Sequence, residues 1–445
     1  VQTYIERNKP RVVGLLGDVA LRGVLGLAGI SDRRGQVVER DGVLYLPMFH
    51  PAYILRNMGR RSVLRADLER LKSLSEGGNV HTYKYPEVYV PPADEAPDII
   101  RSCFEAPVGL DYETPGLDVL APGFCLITIN LCSTKDHRPV VIPLGHPEYE
   151  CSDAQRQSIL DALRDLVTDG DTQKLVHGGM FERKVSRALL GADLINYEDT
   201  LLLHFNLDEE VGKQGLKTVA SNLLGIPDYG EDVKKWIADL REAPLHKVIR
   251  YGGMDAYVLT LLVEGPLKRV LDTPRCVNFI RTRMVPASST YLNMEQRGMC
   301  PDLEWLSHLE TTYPQKVNEL EQEFLANPEV AELGEALGTP LNIRSSQQMK
   351  LLLYGALGLP VLNWTKKGGQ PSTDKATLKR LKALHKVASD ILAYRDVFKV
   401  YSTYIAPFRS SWISSDGLVH PRINLTGTVT TRLSVENPPL HNIPS

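Results

Sequence analysis

Between residues 77 and 97 the chain loses its periodicity. Gly77, Gly78, Pro86, Pro91, Pro92 and Pro97 all fall there, and glycine and proline are the strongest local breakers of helix and strand. A helical pattern stops before this stretch and a strand pattern starts after it, so 77–97 reads as a linker between domains. At 445 residues, two or three domains are expected rather than one.

Composition excludes several classes. Hydrophobic residues at 43% and charged residues at 24% are ordinary for a globular chain. No apolar run approaches the roughly 18 residues of a membrane helix, and no signal peptide opens the sequence. The net charge of −3 argues against a wholly basic nucleic-acid binder, although a local basic stripe is enough for phosphate contact. The six cysteines form no C-x-x-C pair, which argues against zinc or iron–sulfur sites and for reduced thiols in a cytoplasmic setting. A start at Val1 and an end at Ser445 read as a fragment.

Residues 1–76 alternate strand and helix. Val12 to Leu16 is a buried-strand run ending in Gly17, a helix carries Val19 to Leu25, Val43 to Pro47 is a second strand, and a helix from Ser62 turns Leu64, Leu68 and Leu71 inward. Residues 98–272 read as one α/β domain. Its strands are Val108 to Tyr112, Cys125 to Leu131 (alternating apolar and polar), Val140 to Pro143 and Lys174 to Val176. Between the last two, Ser152 and Gln155 form a capping box before a helix with Ile159, Leu160, Leu163, Leu166 and Val167 inward. From 273 the pattern is long-helical. Ser345 and Gln348 make a second capping box before Met349, Leu352 and Leu353. Thr365 to Pro371 is a basic, glycine-rich tip, and Ser372 and Thr373 are N-cap candidates for a helix carrying Leu378 and Leu381.

The chemistry-bearing signal is acidic. Asp111 and Glu113, two apart at the end of an apolar strand, share one face. Two carboxylates on one face suit a hard divalent cation. Tyr251 and Asp255, four apart, stand one helical turn from each other. Singly, each pair more often marks a solvated strand end or a helix surface. Together, in this order and at domain-sized separation, they suggest a two-metal phosphodiesterase, with ions roughly 3.5–4 Å apart.

These residues carry a family resemblance. Asp111-x-Glu113 followed by Thr114-Pro115-Gly116-Leu117 resembles the first motif of the DEDD exonucleases, and Tyr251-x-x-x-Asp255 the third motif of their tyrosine subclass. Val176-His177-Gly178-Gly179-Met180-Phe181-Glu182 stands where the second motif belongs, with Gly178 for the usual Asn and Glu182 for the usual Asp. Asp199-Thr200 resembles the pair that often follows. The resemblance implies an RNase H-like domain (a mixed sheet with helices) and two Mg²⁺ or Mn²⁺ ions. It implies that Asp111, Glu113 and Asp255 hold the first ion, that Asp111, with Glu182 indirectly, serves the second, and that Tyr251 orients the attacking water.

Residues 284–445 resemble the opening of the family A DNA polymerase domain. The series runs from Asn293-Met294-Glu295-Gln296-Arg297-Gly298 and Asp302, through Asn342 to Gln348, Leu357 to Val361, Thr365-Lys366-Lys367-Gly368, Pro371-Ser372-Thr373-Asp374, Tyr394-Arg395 and Ser402-Thr403-Tyr404. It ends with Asn424 to Ser434 and Asn437 to Pro444, departing at Thr431 (usually Gly) and His441 (usually Gln). This implies a mostly helical thumb and the start of a palm in 273–445, with Lys366, Lys367, Ser372, Thr373, Arg432 and Asn442 on DNA. The polymerase carboxylates lie beyond such a segment, so this stretch alone is not expected to extend a primer. Gly14 to Ala20, Arg34-Gly35 and His50-Pro51-Ala52-Tyr53-Ile54-Leu55-Arg56 resemble the C-terminal half of a family 4-type uracil-DNA glycosylase, with His50 at its charge-stabilising histidine. The expected protein is an α/β multidomain replication or repair enzyme of a bacterial or phage-infected cell. It is expected to proofread single-stranded 3′ ends, to hold primer–template duplex, and to need a palm and fingers in cis or in trans. A non-catalytic DNA-binding module and one half of a split polymerase remain open.

Overall fold

The computed structural model describes residues 2–56, 61–77, 85–209, 214–226, 228–230, 232–365, 369–430 and 432–443. They fall into two bodies, Val1–Gln296 with Ile423–Ser434, and Arg297–Arg422 with Val435–Ser445.

The first body opens with a small α/β block. Strands β1 (Val12–Leu16), β2 (Val38–Arg40) and β3 (Val43–Met48) form a sheet in which β3 lies parallel to β1 and antiparallel to β2. Helix α1 (Gly17–Leu25) follows β1 directly. Helix α2 (Arg61–Ser75) packs Leu64 and Leu71 against the sheet, but Leu68 is 50% exposed, contrary to the expected leucine stripe. The stripe nearest the core runs through Val63, Asp67 and Leu74, which are buried, and Leu71, which is half-buried, and Leu68 lies about 100° from its centre at about 100° per residue. A polar residue holds a core position because Asp67 is ion-paired with buried Arg34 at 2.7 Å.

In the stretch read as a linker, residues 85–97 pack on the following domain. The Tyr89 amide donates to the Pro139 carbonyl and its carbonyl accepts from Val141, both at 2.9 Å. Ala96 and Pro97 are buried at the start of a helix, Ala96–Ser102.

That domain is built on a five-stranded sheet of β4 (Val108–Glu113), β5 (Thr128–Ser133), β6 (Pro139–Ile142), β7 (Lys174–Val176) and β8 (Tyr197–Asp199), ordered β6-β5-β4-β7-β8. β4, β5 and β6 pair antiparallel, and β4, β7 and β8 pair parallel. The second strand starts at Thr128, not Cys125, and its polar residues Thr128 and Asn130 are fully buried, so its alternation does not mark a wet face.

Two apolar cores flank the sheet. On one side Val108, Leu110 and Tyr112 meet α3 (Asp153–Thr168) and α4 (Met180–Leu190). Ser152 and Gln155 close the expected capping box on α3. The other core collects α5 (Thr200–Leu207), α6 (Leu216–Leu224) and α7 (Leu245–Glu264). Helix α7 lies unusually close to the strands. A Cβ on Gly109 would stand 2.3 Å from the Ala256 carbonyl oxygen, and one on Gly252 would stand 2.4 Å from Asn130 Oδ1. Helix α8 (Val285–Arg297) follows.

The second body is helical. Its core joins α9 (Leu303–Leu325), α10 (Pro328–Leu337), α11 (Lys375–Leu381) and α12 (Lys386–Val400) through Phe324, Val330, Leu378, Leu381, Ile391 and Tyr394, with Met349, Leu352 and Leu353 inward as expected. Two capping expectations change. Ser345 accepts from the Gln348 amide, but the Gln348 side chain turns to the Asn342 amide at 2.6 Å, leaving half a box. Asp374, not Ser372 or Thr373, caps α11 by accepting from the Thr377 amide at 2.7 Å. Its carboxylate is the stronger acceptor, and the Ser372 hydroxyl receives the Asp374 amide instead. Among the described residues no helix is long and apolar enough to cross a membrane.

The Gly109 contact yields a stability prediction. Gly109→Ala forces α7 from the sheet, and overpacking of this kind costs about 1–3 kcal/mol. Thermal unfolding should show Tm lowered by about 2–4 °C for each kcal/mol, while Gly170→Ala, with nothing within 4 Å of the added carbon, leaves it unchanged.

Candidate metal centre

Alternation along β4 decides where the acids face. The even positions enter the core under α3, which leaves Gly109, Asp111 and Glu113 facing α7. Because Gly109 carries no side chain, the α7 backbone comes down beside it. One turn of α7 then brings Tyr251 and Asp255 over the two acids, 8% and 2% exposed. One carboxylate oxygen from each of Asp111, Glu113 and Asp255 lies within 4.8 Å of the others. Glu182, from the first turn of α4, is 3% exposed, and its Oε2 has no hydrogen-bond partner. Three gathered carboxylates and a buried fourth with one oxygen unpartnered form a donor set for hard divalent cations, so the residues fit the expected ions. Asp111, Glu113 and Asp255 are thus brought together, with Glu182 beside them rather than within the triplet.

Several groups that no motif flagged hold these acids. Asn130 pairs with Asp111 in the β4–β5 ladder and donates Nδ2 to Asp111 Oδ2 at 2.8 Å. A polar residue inside an apolar strand was its only sequence signal. Asp255 accepts at Oδ2 from Lys217 Nζ at 2.5 Å and at Oδ1 from the Tyr229 hydroxyl at 2.6 Å. Asp199 binds the amides of Gly178, Gly179 and Leu201, each at 2.9 Å, and so serves the N-termini of both α4 and α5. This accounts for glycine at 178, where φ is +80° and a side chain would be strained.

Burial first, then the charge of Asp255, raises the Asp111 carboxyl above the ordinary carboxylate range. Burial, then Asp111 and Asp255, does the same to Glu113, and burial followed by Asp111 does so to Glu182. The Tyr251 phenol is also pushed up, by burial and then Asp255, and stays protonated. An acid raised on folding stabilises the fold fully below its unfolded value, about 4. That contribution is lost as pH rises through the raised folded values. Without divalent cations, this centre therefore makes the protein less stable at pH 8 than at pH 5. Asp111→Asn should raise the metal-free Tm at pH 8 by a few degrees, at about 2–4 °C per kcal/mol, and remove the rise that Mn²⁺ gives the parent, both measurable by calorimetry.

The other expected residues are spread over the chain. His50 is exposed at the end of β3, its Cβ 3.2 Å from where a Cβ on Gly17 would stand, and its Nδ1 accepts from the Ala52 amide at 3.1 Å. Ser372 and Thr373 are 4% and 7% exposed. They line a cavity of about 430 Å³ with Ser346, Lys350, Thr365, Asp374 and Arg395. The Arg395 guanidinium donates to the Thr373 carbonyl. Arg432 and Asn442 are exposed, and Lys366 and Lys367 lie outside the described residues.

Comparison with known proteins gives two family matches in tandem. Residues 89–271 match the 3′-5′ exonuclease family and residues 304–445 match DNA polymerase family A. A DNA polymerase of Bacillus phage SP01 is 25% identical over 99% of this chain and 54% of its own length. DNA polymerase I of Chloroflexus aurantiacus is 28% identical over 81% of this chain and 37% of its own. The chain thus spans about half or less of the length of these relatives. Among solved structures, the POL domain of Pol1 from M. smegmatis, in complex with DNA primer-template and dNTP, superposes with a TM-score of 0.58 at 18% identity. It covers 81% of this chain and 56% of that one, a likeness of fold. In tandem, then, the chain carries one segment similar to the 3′-5′ exonucleases and one similar to the family A DNA polymerases, and a phage DNA polymerase aligns with nearly all of it.

Proposed function

We propose that residues 98–272 remove nucleotides from the single-stranded 3′ end of DNA by metal-dependent hydrolysis, as the proofreading part of a replicative polymerase. The observation that carries this reading is the convergence of Asp111, Glu113 and Asp255 within 4.8 Å, beside the unpartnered Glu182 oxygen. The strand order, with β4 central and three antiparallel strands continued by two parallel ones, supports an RNase H-like domain.

Asp111, Glu113 and Asp255 would hold one Mg²⁺ or Mn²⁺, and Asp111, with Glu182 indirectly, would serve the other. Bound there, two such ions supply a more acidic water and offset charge on the attacking and leaving oxygens. The chain's own groups do the rest. Asn130 fixes the Asp111 carboxylate, and the protonated Tyr251 phenol is a hydrogen-bond donor that orients water at the scissile bond.

Residues 273–445 read as thumb and early palm, holding primer–template duplex. Lys350 and Arg395, against one carboxylate from Asp374, leave the cavity beside Ser372 and Thr373 with one net positive charge for phosphate, and exposed Arg432 and Asn442 are free to reach DNA. Palm and fingers, in cis or in trans, would complete a polymerase acting in the cytoplasm. The approach of Gly17 to His50 at the ends of two parallel strands supports the glycosylase-like reading of residues 1–76.

With a 5′-labelled single-stranded oligonucleotide and Mg²⁺ or Mn²⁺, the chain should shorten the 3′ end stepwise. Asp111→Ala should lower the rate by on the order of 1000-fold, since metal stabilisation contributes several kcal/mol. Tyr251→Phe should lower it by about 100-fold. If the parent and Asp111→Ala are equally inert while both bind DNA, the domain is a binding module. For the helical body, Arg395→Ala should weaken duplex binding and reduce the log–log salt slope by about one. An unchanged slope would remove Arg395 from the DNA contact.

A further inference from the structure

Lys217 stands in the first turn of α6, outside every motif that led to the metal centre. Its ammonium is 2.5 Å from Asp255 Oδ2, with 27% of the side chain exposed. The same nitrogen stands 4.3 Å from the centroid of the Tyr251 ring and 5.5 Å from that of Tyr229. It is therefore held between a carboxylate and two aromatic rings whose faces attract a cation. The Tyr229 hydroxyl takes the other Asp255 oxygen. Both oxygens of one candidate metal ligand are occupied by groups from residues 217–229.

The segment carrying Lys217 is itself anchored. The Gln214 carbonyl is bonded by His177 Nε2 and its side-chain oxygen by His204 Nδ1, both at 2.6 Å, while its Nε2 donates to the Asp208 carbonyl at 2.7 Å. Gln214 is 7% exposed. A flexible lysine stem held at both ends, by its backbone and by its ammonium, is a placed charge rather than a surface tether.

We propose that Lys217 is the resident cation of the centre, a positioning residue whose charge lessens the mutual repulsion of Asp255, Asp111 and Glu113 before metal binds and offsets the charge of the phosphodiester once it does. This rests on the exonuclease reading above. The charges support it. Four carboxylates balance two divalent ions, and the phosphodiester then adds one negative charge that neither ion offsets. Lys217 supplies the missing positive charge beside Tyr251, the group assigned to the water. In the centre without metal, the same charge lessens the mutual repulsion of the acids.

The role makes a prediction opposite in sign to that of a purely structural lysine. Removing a positive charge from an acidic centre strengthens its hold on Mn²⁺, whereas removing a structural prop loosens Asp255 and weakens it. The test compares the intact chain with Lys217→Met and Lys217→Arg. Mn²⁺ affinity is measured by isothermal titration calorimetry without DNA. Affinity for a labelled single-stranded oligonucleotide is measured by fluorescence anisotropy with Ca²⁺ in place of Mg²⁺.

Lys217→Met should bind Mn²⁺ more tightly, by on the order of 10-fold, bind the oligonucleotide more weakly by a similar factor, and excise slowly. Lys217→Arg, which keeps the charge, should restore all three. Unchanged or weaker Mn²⁺ binding by Lys217→Met, or identical behaviour of the Met and Arg variants, would overturn the proposal. If the parent binds Mn²⁺ but excises nothing, the exonuclease reading fails while the Mn²⁺ comparison still decides the role of Lys217. If the parent binds no Mn²⁺, both fail.

Discussion

The candidate centre depends on the close approach of α7 to the central sheet. Two glycines permit it, Gly109 on β4 and Gly252 on α7, at points where an added carbon would lie 2.3–2.4 Å from its neighbour. Such contact brings helix backbone against strand backbone, nearer than interdigitated side chains allow. Tyr251 and Asp255 then reach the level of Asp111 and Glu113 instead of standing off by a layer of aliphatic groups. The motif residues supply the chemistry, and the small residues between them supply the distance.

The approach gathers like charges where Asp255 and Glu182 are buried and Asp111 and Glu113 are half-buried. Burial and mutual repulsion push the carboxyls of Asp111, Glu113 and Glu182 upward, so the centre opposes folding whenever these groups are ionised without a counter-charge. The surrounding polar groups answer this. Asn130 donates to Asp111, Lys217 and Tyr229 hold Asp255, and Asp199 has its oxygens bonded to three amides. Among the four acids, Glu182 Oε2 is buried without a hydrogen-bond partner, which is the state of an atom kept for a ligand. A centre of this kind is assembled by packing and completed by cations.

Much of this was legible in the sequence because it is local. Strand alternation placed Asp111 and Glu113 on one face, helical spacing placed Tyr251 with Asp255, and the Ser152–Gln155 box formed as written. What was not legible is relational. Asn130 faces Asp111 only through the β4–β5 register, and Lys217 and Tyr229 meet Asp255 only after residues 214–230 fold over α7. Neither has a spacing to read. Local signals also gave way to competition. Leu68 lost its core place to an ion-paired Asp67, Gln348 preferred the Asn342 amide, and Asp374 displaced Ser372 and Thr373 as a cap. In each case a polar partner elsewhere was stronger than the pattern. At 178, the missing asparagine followed from a backbone turn that Asp199 stabilises, a relation 21 residues long.

The most direct test of the centre is anomalous diffraction from crystals of this chain equilibrated with Mn²⁺. The account predicts a peak among Asp111, Glu113 and Asp255, with a second between Asp111 and Glu182. Crystals that show Mn²⁺ only elsewhere, with Asp255 still bound to Lys217 and Tyr229 alone, would contradict it.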